Sequence, residues 1–266
     1  MLIWIKSFFR QIAIVVWHLV WNLSALALWV LPFWWDGRHY FFMARRGWAP
    51  GLLWLGGSPP TIVGHDKIDW SKPHVIVANH QGNADIPLLM MAVDAPLRFL
   101  AKRSVAYIPV IGWILVLARF PFIDRENAQA GKRSIEEVAR RIREEKLNVV
   151  VFPEGTRSPE GTMLPFKKGA FVLAIQAQVP IVPVAIEGSG AAMPRASFRI
   201  YPHPTKVTVG DPIPTEGLTM QDRDALRAKT EEAILGMLGW KKIKPTELEE
   251  ARREEKEARE RPRQAA

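Results

Sequence analysis

Hydrophobic and polar positions divide this chain into three stretches of different rhythm. Residues 11–35 carry no charged side chain. A helix over that run would be about 37 Å long, more than a hydrocarbon core of about 30 Å requires. Two features argue against a clean span. His18 and Asn22 lie four apart on one helical face and would both need partners in lipid. Tryptophans 17, 21, 29, 34 and 35 are spread along the run, whereas a span collects them at its ends. Basic residues lie on both sides, Lys6 and Arg10 before it and Arg38, Arg45 and Arg46 after it. That pattern fits a hairpin returning to the side it left. A second apolar piece, residues 48–57, is interrupted by Pro50 and Gly51. Residues 1–57 are therefore expected to form a membrane-associated helical hairpin, anchored at headgroup level by its eight tryptophans. A cleaved signal peptide is the rival, but the apolar run continues past the small residues Ala25-Leu26-Ala27.

The rhythm then shortens. Apolar runs at 61–64, 75–78, 98–101, 120–123, 149–152, 181–186, 198–201 and 206–209 read as strands. Helical periodicity marks 86–93, 128–145, 170–176 and 221–238. This alternation predicts an α/β fold over residues 58–244, a mostly parallel twisted sheet flanked by helices. Residues 108–122 are apolar enough to be core or to line a channel. The last stretch, 245–266, is a charged helical or disordered tail with Glu and Arg at i,i+4 spacing, such as Glu249 and Arg253, and almost no apolar stripe.

Composition narrows the chemistry. The absence of cysteine excludes disulfides, thiol nucleophiles and thiolate metal sites. A formal net charge of +9, with the tail nearly neutral, puts the basic excess on the body. That suits an anionic membrane or a phosphorylated substrate. Nucleic acid is not expected, because no helix-turn-helix, zinc-finger or stacking-platform signature is present.

Candidate chemistry gathers after the strands, where ligands of open α/β sheets bind. In VIVANHQGNADIPLL, His80 leaves a strand and Asp85 enters the next helix across a turn marked by Asn79, Gly82 and Asn83. An imidazole oriented by a carboxylate is a general base. A loop histidine bonded to a helix-capping aspartate would show the same pattern. Arg125 follows another strand, and Glu154, Gly155, Thr156 and Arg157 follow a third. A glycine-containing loop with an arginine holds phosphate or an oxyanion. Lys102, Arg103, Lys167 and Lys168 add cations near strand ends. No metal-ligand spacing stands out beyond His80 and Asp85.

Four ordered strings now carry a resemblance. Asn79-His80 through Asp85, Phe122-Ile123-Asp124-Arg125, Phe152-Pro153-Glu154-Gly155-Thr156-Arg157-Ser158 and Val182-Pro183-Val184 resemble the motifs of the lysophosphatidate acyltransferase family. The resemblance spans roughly residues 60–215. It implies acyl transfer from acyl-CoA or acyl carrier protein to the sn-2 hydroxyl of lysophosphatidate, with no other cofactor and no acyl-enzyme. His80 would be the base and Asp85 its partner. Arg125 and the 154–157 loop would bind phosphate, with Lys102 and Lys167 as helpers and Glu154 orienting an arginine or a glycerol hydroxyl. It also implies a cell-membrane location, monotopic or single-pass, with the site facing the cytoplasm. Three alternatives stay open: another acceptor such as a lyso-ornithine lipid, a hydrolase using Ser189, and a non-catalytic lipid-binding protein.

Overall fold

The computed structural model describes residues 2–28, 38–124, 127–194, 201–244, 246–250 and 253, with side chains from Phe8 onward. In chain order, α1 (Leu2–Leu28) precedes α2 (Arg38–Met43), which runs through a π-helical turn (Ala44–Trp48) into α3 (Ala49–Gly56). There follow β1 (Pro60–Val63), β2 (Val75–Ala78), α4 (Asp85–Ala92), β3 (Leu97–Phe99), β4 (Ala101–Lys102), α5 (Ile111–Leu117), β5 (Phe122–Ile123) and α6 (Ala128–Glu145). The second half adds β6 (Asn148–Val151), β7 (Thr162–Met163), α7 (Gly169–Ala177), β8 (Ile181–Glu187), α8 (Ser189–Ala192), β9 (Thr205–Val209), α9 (Arg223–Leu238) and β10 (Lys241–Lys242).

Six strands form the main sheet in the order β1-β9-β8-β2-β6-β3. All neighbours are parallel except β8 and β9, which run antiparallel. The expected α/β architecture is thus present. The central strand β2 is buried along its whole length, and its alternation divides the core. Val75 and Val77 face a cluster with Phe171, Leu173 and Ile234 from α7 and α9. Ile76 and Ala78 face the opposite cluster, with Leu88 and Leu89 of α4 and Leu53 of α3. Phe41, Ala44 and Ala49 belong to that second cluster, so the returning limb of the hairpin is packed into the body.

The hairpin itself is antiparallel and knit by tryptophans. A Cβ on Gly47 would overlap the Trp21 ring, and one on Gly51 the Trp17 ring. Glycines four apart on one limb thus receive tryptophans four apart on the other. The Trp17 indole donates to the Trp48 carbonyl at 3.1 Å. The Trp48 indole donates to His18 Nδ1 at 3.2 Å, and the Asn22 amide to the His18 carbonyl at 2.7 Å. His18 and Asn22 therefore find their partners inside the hairpin. Trp17, Trp21 and Trp48 pack between its limbs, contrary to the expectation that such residues serve as headgroup anchors. Phe8–Leu28 remains long and apolar enough to cross a bilayer.

Elsewhere the structure redraws several expected strands. Residues 98–101 do not form one strand. β3 ends at Phe99, and β4 leaves the main sheet to pair with β5. Only Tyr201 of the expected strand 198–201 lies within the described residues, and it is coil. β10 pairs in parallel with β7, a match of two dipeptides too short to show periodicity. Most of the 245–266 tail lies outside the described residues, but Leu248 is buried.

Candidate active site

β2 ends at Ala78, and the chain turns sharply to enter α4 at Asp85. Asn79 fixes the exit. Its side chain donates to the Ile186 carbonyl at 2.8 Å and accepts from the Ile186 amide at 2.7 Å, tying β2 to the end of β8. The following loop is seated on α8: a Cβ on Gly82 would strike the Ser189 and Met193 carbonyl oxygens, and the Asn83 amide donates to Met193. Such close approach admits only glycine at position 82.

Within this loop His80 and Asp85 meet. His80 Nδ1 lies 2.6 Å from Asp85 Oδ2. The same oxygen accepts the Gln81 amide at 2.8 Å and the Gly82 amide at 3.1 Å. Asp85 is fully buried, while the His80 side chain keeps 17% exposure. A carboxylate only accepts, so Nδ1 carries a proton, and in the neutral ring Nε2 holds the free lone pair. The ring stacks on Phe152 with centroids 4.1 Å apart and planes 16° apart. Phe152 in turn stacks on Phe99, and Phe99 on Phe120. The imidazole is thus clamped on two sides, by a buried carboxylate at its edge and an aromatic row against its face. Phe152 carries no role in the sequence pattern and Asn79 only that of a turn residue, although both lie inside the quoted strings.

The loop after β6 approaches from the other side. Glu154 is 2% exposed, and its two oxygens accept main-chain amides, Oε1 from His80 and Oε2 from Leu164, both at 2.8 Å. Burial is the largest cause that pushes its carboxyl up to about 8, against the two amide bonds that favour the ionised form. The expectation that Glu154 orients an arginine or a glycerol hydroxyl is therefore corrected: its carboxylate faces inward and is spent on the backbone. Ser158 returns the tie, its amide donating to the His80 carbonyl at 2.9 Å. Arg157 reaches back to Asn83 Oδ1 at 2.6 Å, beside the His80 loop. Gly155, at φ +75°, and Thr156 lie between them, half-buried.

Lys167 is exposed, and its ammonium lies over Gly155, where a Cβ would collide with it. Lys168 turns away toward Asp224 on α9, 3.9 Å distant. Lys102 closes β4, outside the main sheet, where it pairs in register with Ile123 of β5. Arg125 lies outside the described residues. Its neighbour Asp124 accepts the Asn127 amide at 3.2 Å, a turn-forming role ahead of α6. Ser189, the candidate hydrolase nucleophile, is fully buried, which removes it from solvent and substrate. Among the described residues, no group of three or more histidine, aspartate and glutamate side chains gathers as metal ligands would.

The site thus joins a base-forming pair to a cation-bearing loop. Comparison with known proteins points the same way. Residues 60–187 match the family model described as Acyltransferase. A 1-acyl-sn-glycerol-3-phosphate acyltransferase of Cocos nucifera is 36% identical over 208 residues, 77% of this chain and 65% of that protein. The acl-2 protein of Caenorhabditis elegans, named for the same acyltransferase, is 33% identical over 77% of this chain and 73% of its own length. This chain belongs to the 1-acyl-sn-glycerol-3-phosphate acyltransferase family. The human alpha form of that enzyme is 38% identical over 184 residues, and the chain spans 65% of its length, as it does of the coconut protein. In fold, the chain resembles the crystal structure of the Thermotoga maritima 1-acyl-sn-glycerophosphate acyltransferase, PlsC. The TM-score is 0.75 at 24% identity, over 88% of this chain and 95% of that one.

Proposed function

We propose that this acyltransferase moves a fatty acyl group from a thioester, acyl-CoA or acyl carrier protein, to the sn-2 hydroxyl of lysophosphatidate, giving phosphatidate. The observation that carries the proposal is the 2.6 Å contact of His80 Nδ1 with Asp85, which leaves Nε2 as the ring's basic atom beside the Gly155–Arg157 loop. His80 Nε2 takes the hydroxyl proton as the oxygen forms its bond to the thioester carbonyl carbon. Asp85 holds the tautomer and stabilises the imidazolium. Collapse of the tetrahedral adduct breaks the carbon–sulfur bond, and the imidazolium proton passes to the leaving thiolate. The proton removed from the acceptor thus ends on the released thiol.

Arg157 and Lys167, with Arg125 and Lys102, are the cations for the acceptor phosphate and for the acidic donor carrier. The acceptor keeps one chain in the bilayer, so the enzyme must work at an interface. The hairpin supports that: it packs against the body and carries Phe9, Val16, Val20 and Leu23 exposed on α1. A monotopic attachment with the site toward the cytoplasmic thioester pool follows from this reading. The test is His80→Ala assayed against a panel of lysolipids with both donors, followed by product mass. Transfer to lysophosphatidate is expected to fall by about 10²- to 10⁴-fold, with vesicle association unchanged. Full activity in the variant, or a preferred acceptor without phosphate, overturns the proposal.

A further inference from the structure

Large apolar side chains that stand exposed in this molecule fall mostly in two places. One is the outward face of the hairpin, with Phe9, Val16, Val20 and Leu23 on α1 and Phe42 and Trp54 on the return limb. The other is a single excursion between β4 and β5, where Tyr107, Ile108, Ile111, Trp113, Val116 and Leu117 are 39–75% exposed. Part of the run 108–122 is core, as its sequence allowed, with Ile114, Ala118 and Phe120 buried, but these six side chains are not. A soluble surface rarely gathers so much contiguous apolar area without a partner.

Three observations say what the partner is. First, α5 packs beside α1, so the excursion continues the hairpin's apolar face. Second, the chain that flanks it carries basic residues only, although Arg119 is ion-paired with Glu145 of α6. Between Asp94 and Asp124 there is no acidic residue, whereas Lys102 and Arg103 precede the excursion and Arg119 follows it. An apolar patch with a basic rim matches hydrocarbon beneath anionic headgroups. Third, the excursion is rigidly built. Val110 sits at φ +66° and ψ −62°, with the Ile111 amide donating to the Pro109 carbonyl at 2.8 Å. This is the strained form of γ-turn, unusual for a β-branched residue. A tight turn keeps its apolar neighbours presented outward instead of collapsing into the core.

We infer that residues 107–117 are a second bilayer-inserting element, docking into the same leaflet as the hairpin and setting the depth of the catalytic cleft. The placement gives the reason. β4 and β5 hold the two ends of the excursion together, and β4 follows β3, whose Phe99 stacks on Phe152 beneath His80. Two adjoining contacts with the membrane, one from the hairpin and one from the excursion packed beside it, fix the tilt of the cleft as well as its distance, which one helical hairpin alone leaves free to rock.

The inference rests on the reading of the hairpin as a bilayer anchor, and the test separates the two. Because the chain has no cysteine, a single one can be labelled without background. Ile12→Cys, Val116→Cys and Met220→Cys, all at exposed sites, each receive an environment-sensitive dye in the full-length protein. Vesicles of phosphatidylcholine with phosphatidylglycerol are then added, with and without quencher lipids of known depth. The expected result is a several-fold rise in emission at positions 12 and 116, quenched from within the bilayer, and no change at 220. A response at 12 but not at 116 overturns the inference and leaves the hairpin anchor standing. No response at either overturns both. A rise at 116 that follows protein concentration in detergent, without vesicles, assigns the patch to a second copy of the chain and also overturns it. As an independent readout, Val116→Glu is expected to weaken vesicle partition on the order of tenfold, with an unchanged far-ultraviolet circular dichroism spectrum as the folding control. Unchanged partition counts against the inference.

Discussion

A carboxyl group that is 2% exposed must find its partners inside the protein, and Glu154 finds two main-chain amides from segments ten residues apart on one side and 74 on the other. It holds His80 by that residue's backbone amide. Glutamine in its place offers one oxygen where two amides need acceptors, so one buried N–H loses its partner, a cost of about 1–3 kcal/mol. Glu154→Gln is expected to lower kcat by ten-fold or more while leaving the acceptor KM unchanged. A substrate ligand would show the reverse split. The pH dependence of stability carries a second signature. Burial raises the folded carboxyl to about 8 from 4.5, so the folded state holds a proton the unfolded chain has released. Stability from this group is complete below the unfolded value and is lost as pH rises through about 8. The stability gap between wild type and Glu154→Gln is therefore widest near pH 5 and narrows toward pH 8, as urea midpoints across that range would show. The His80–Asp85 pair was legible because strand, turn and helix signals all lie within fifteen residues. The inward turn of Glu154 was not, because its second partner, Leu164, is set by the path of a loop.

Helices and strands tell a similar story of local signal and distant consequence. The hairpin was visible as an uncharged run, but the purpose of its scattered tryptophans was not. Trp17 and Trp21 fill the notches at Gly51 and Gly47, and a sequence shows aromatic content without showing which limb receives it. An added side chain there must push the limbs apart. Gly51→Leu is expected to destabilise the hairpin by about 1–3 kcal/mol through overpacking. Limited proteolysis in detergent checks this: cleavage is expected to speed up within residues 1–57, with the 58–244 region unchanged. Equal cleavage of wild type and variant would mean that the notch is not filled as described. The excursion at 107–117 illustrates the opposite failure of pattern. An apolar run reads the same whether it ends up buried or facing lipid, and only its position between two paired strands separates the cases.

At the scale of the entire chain, the site exists because long-range ties bring distant segments to one sheet edge. Asn79 and Ile186 bridge 107 residues, and Glu154 and His80 bridge 74. The central strands that bear these residues were readable as continuous β-branched runs, which is why the α/β architecture followed from pattern alone. The closing contact was not readable. The two-residue strand β10 lies along β7, the Ile243 amide donates to the Met163 carbonyl, and Glu231 of α9 accepts the Phe166 amide at 2.6 Å while pairing with Lys242. Glu154 and Glu231 therefore grip alternate amides, Leu164 and Phe166, of one short segment. That segment couples the C-terminal part of the chain to the loop that carries Glu154 and, through it, to the His80 amide. Glu231→Ala is expected to leave the buried Phe166 amide without its acceptor and release β10 from β7. Hydrogen exchange is the measurement. Amides 162–166 are expected to exchange at least tenfold faster, while Val75–Ala78 in the central sheet keeps its protection. A uniform acceleration through both regions would show that Glu231 contributes only global stability, and that the segment does not transmit C-terminal packing to the site.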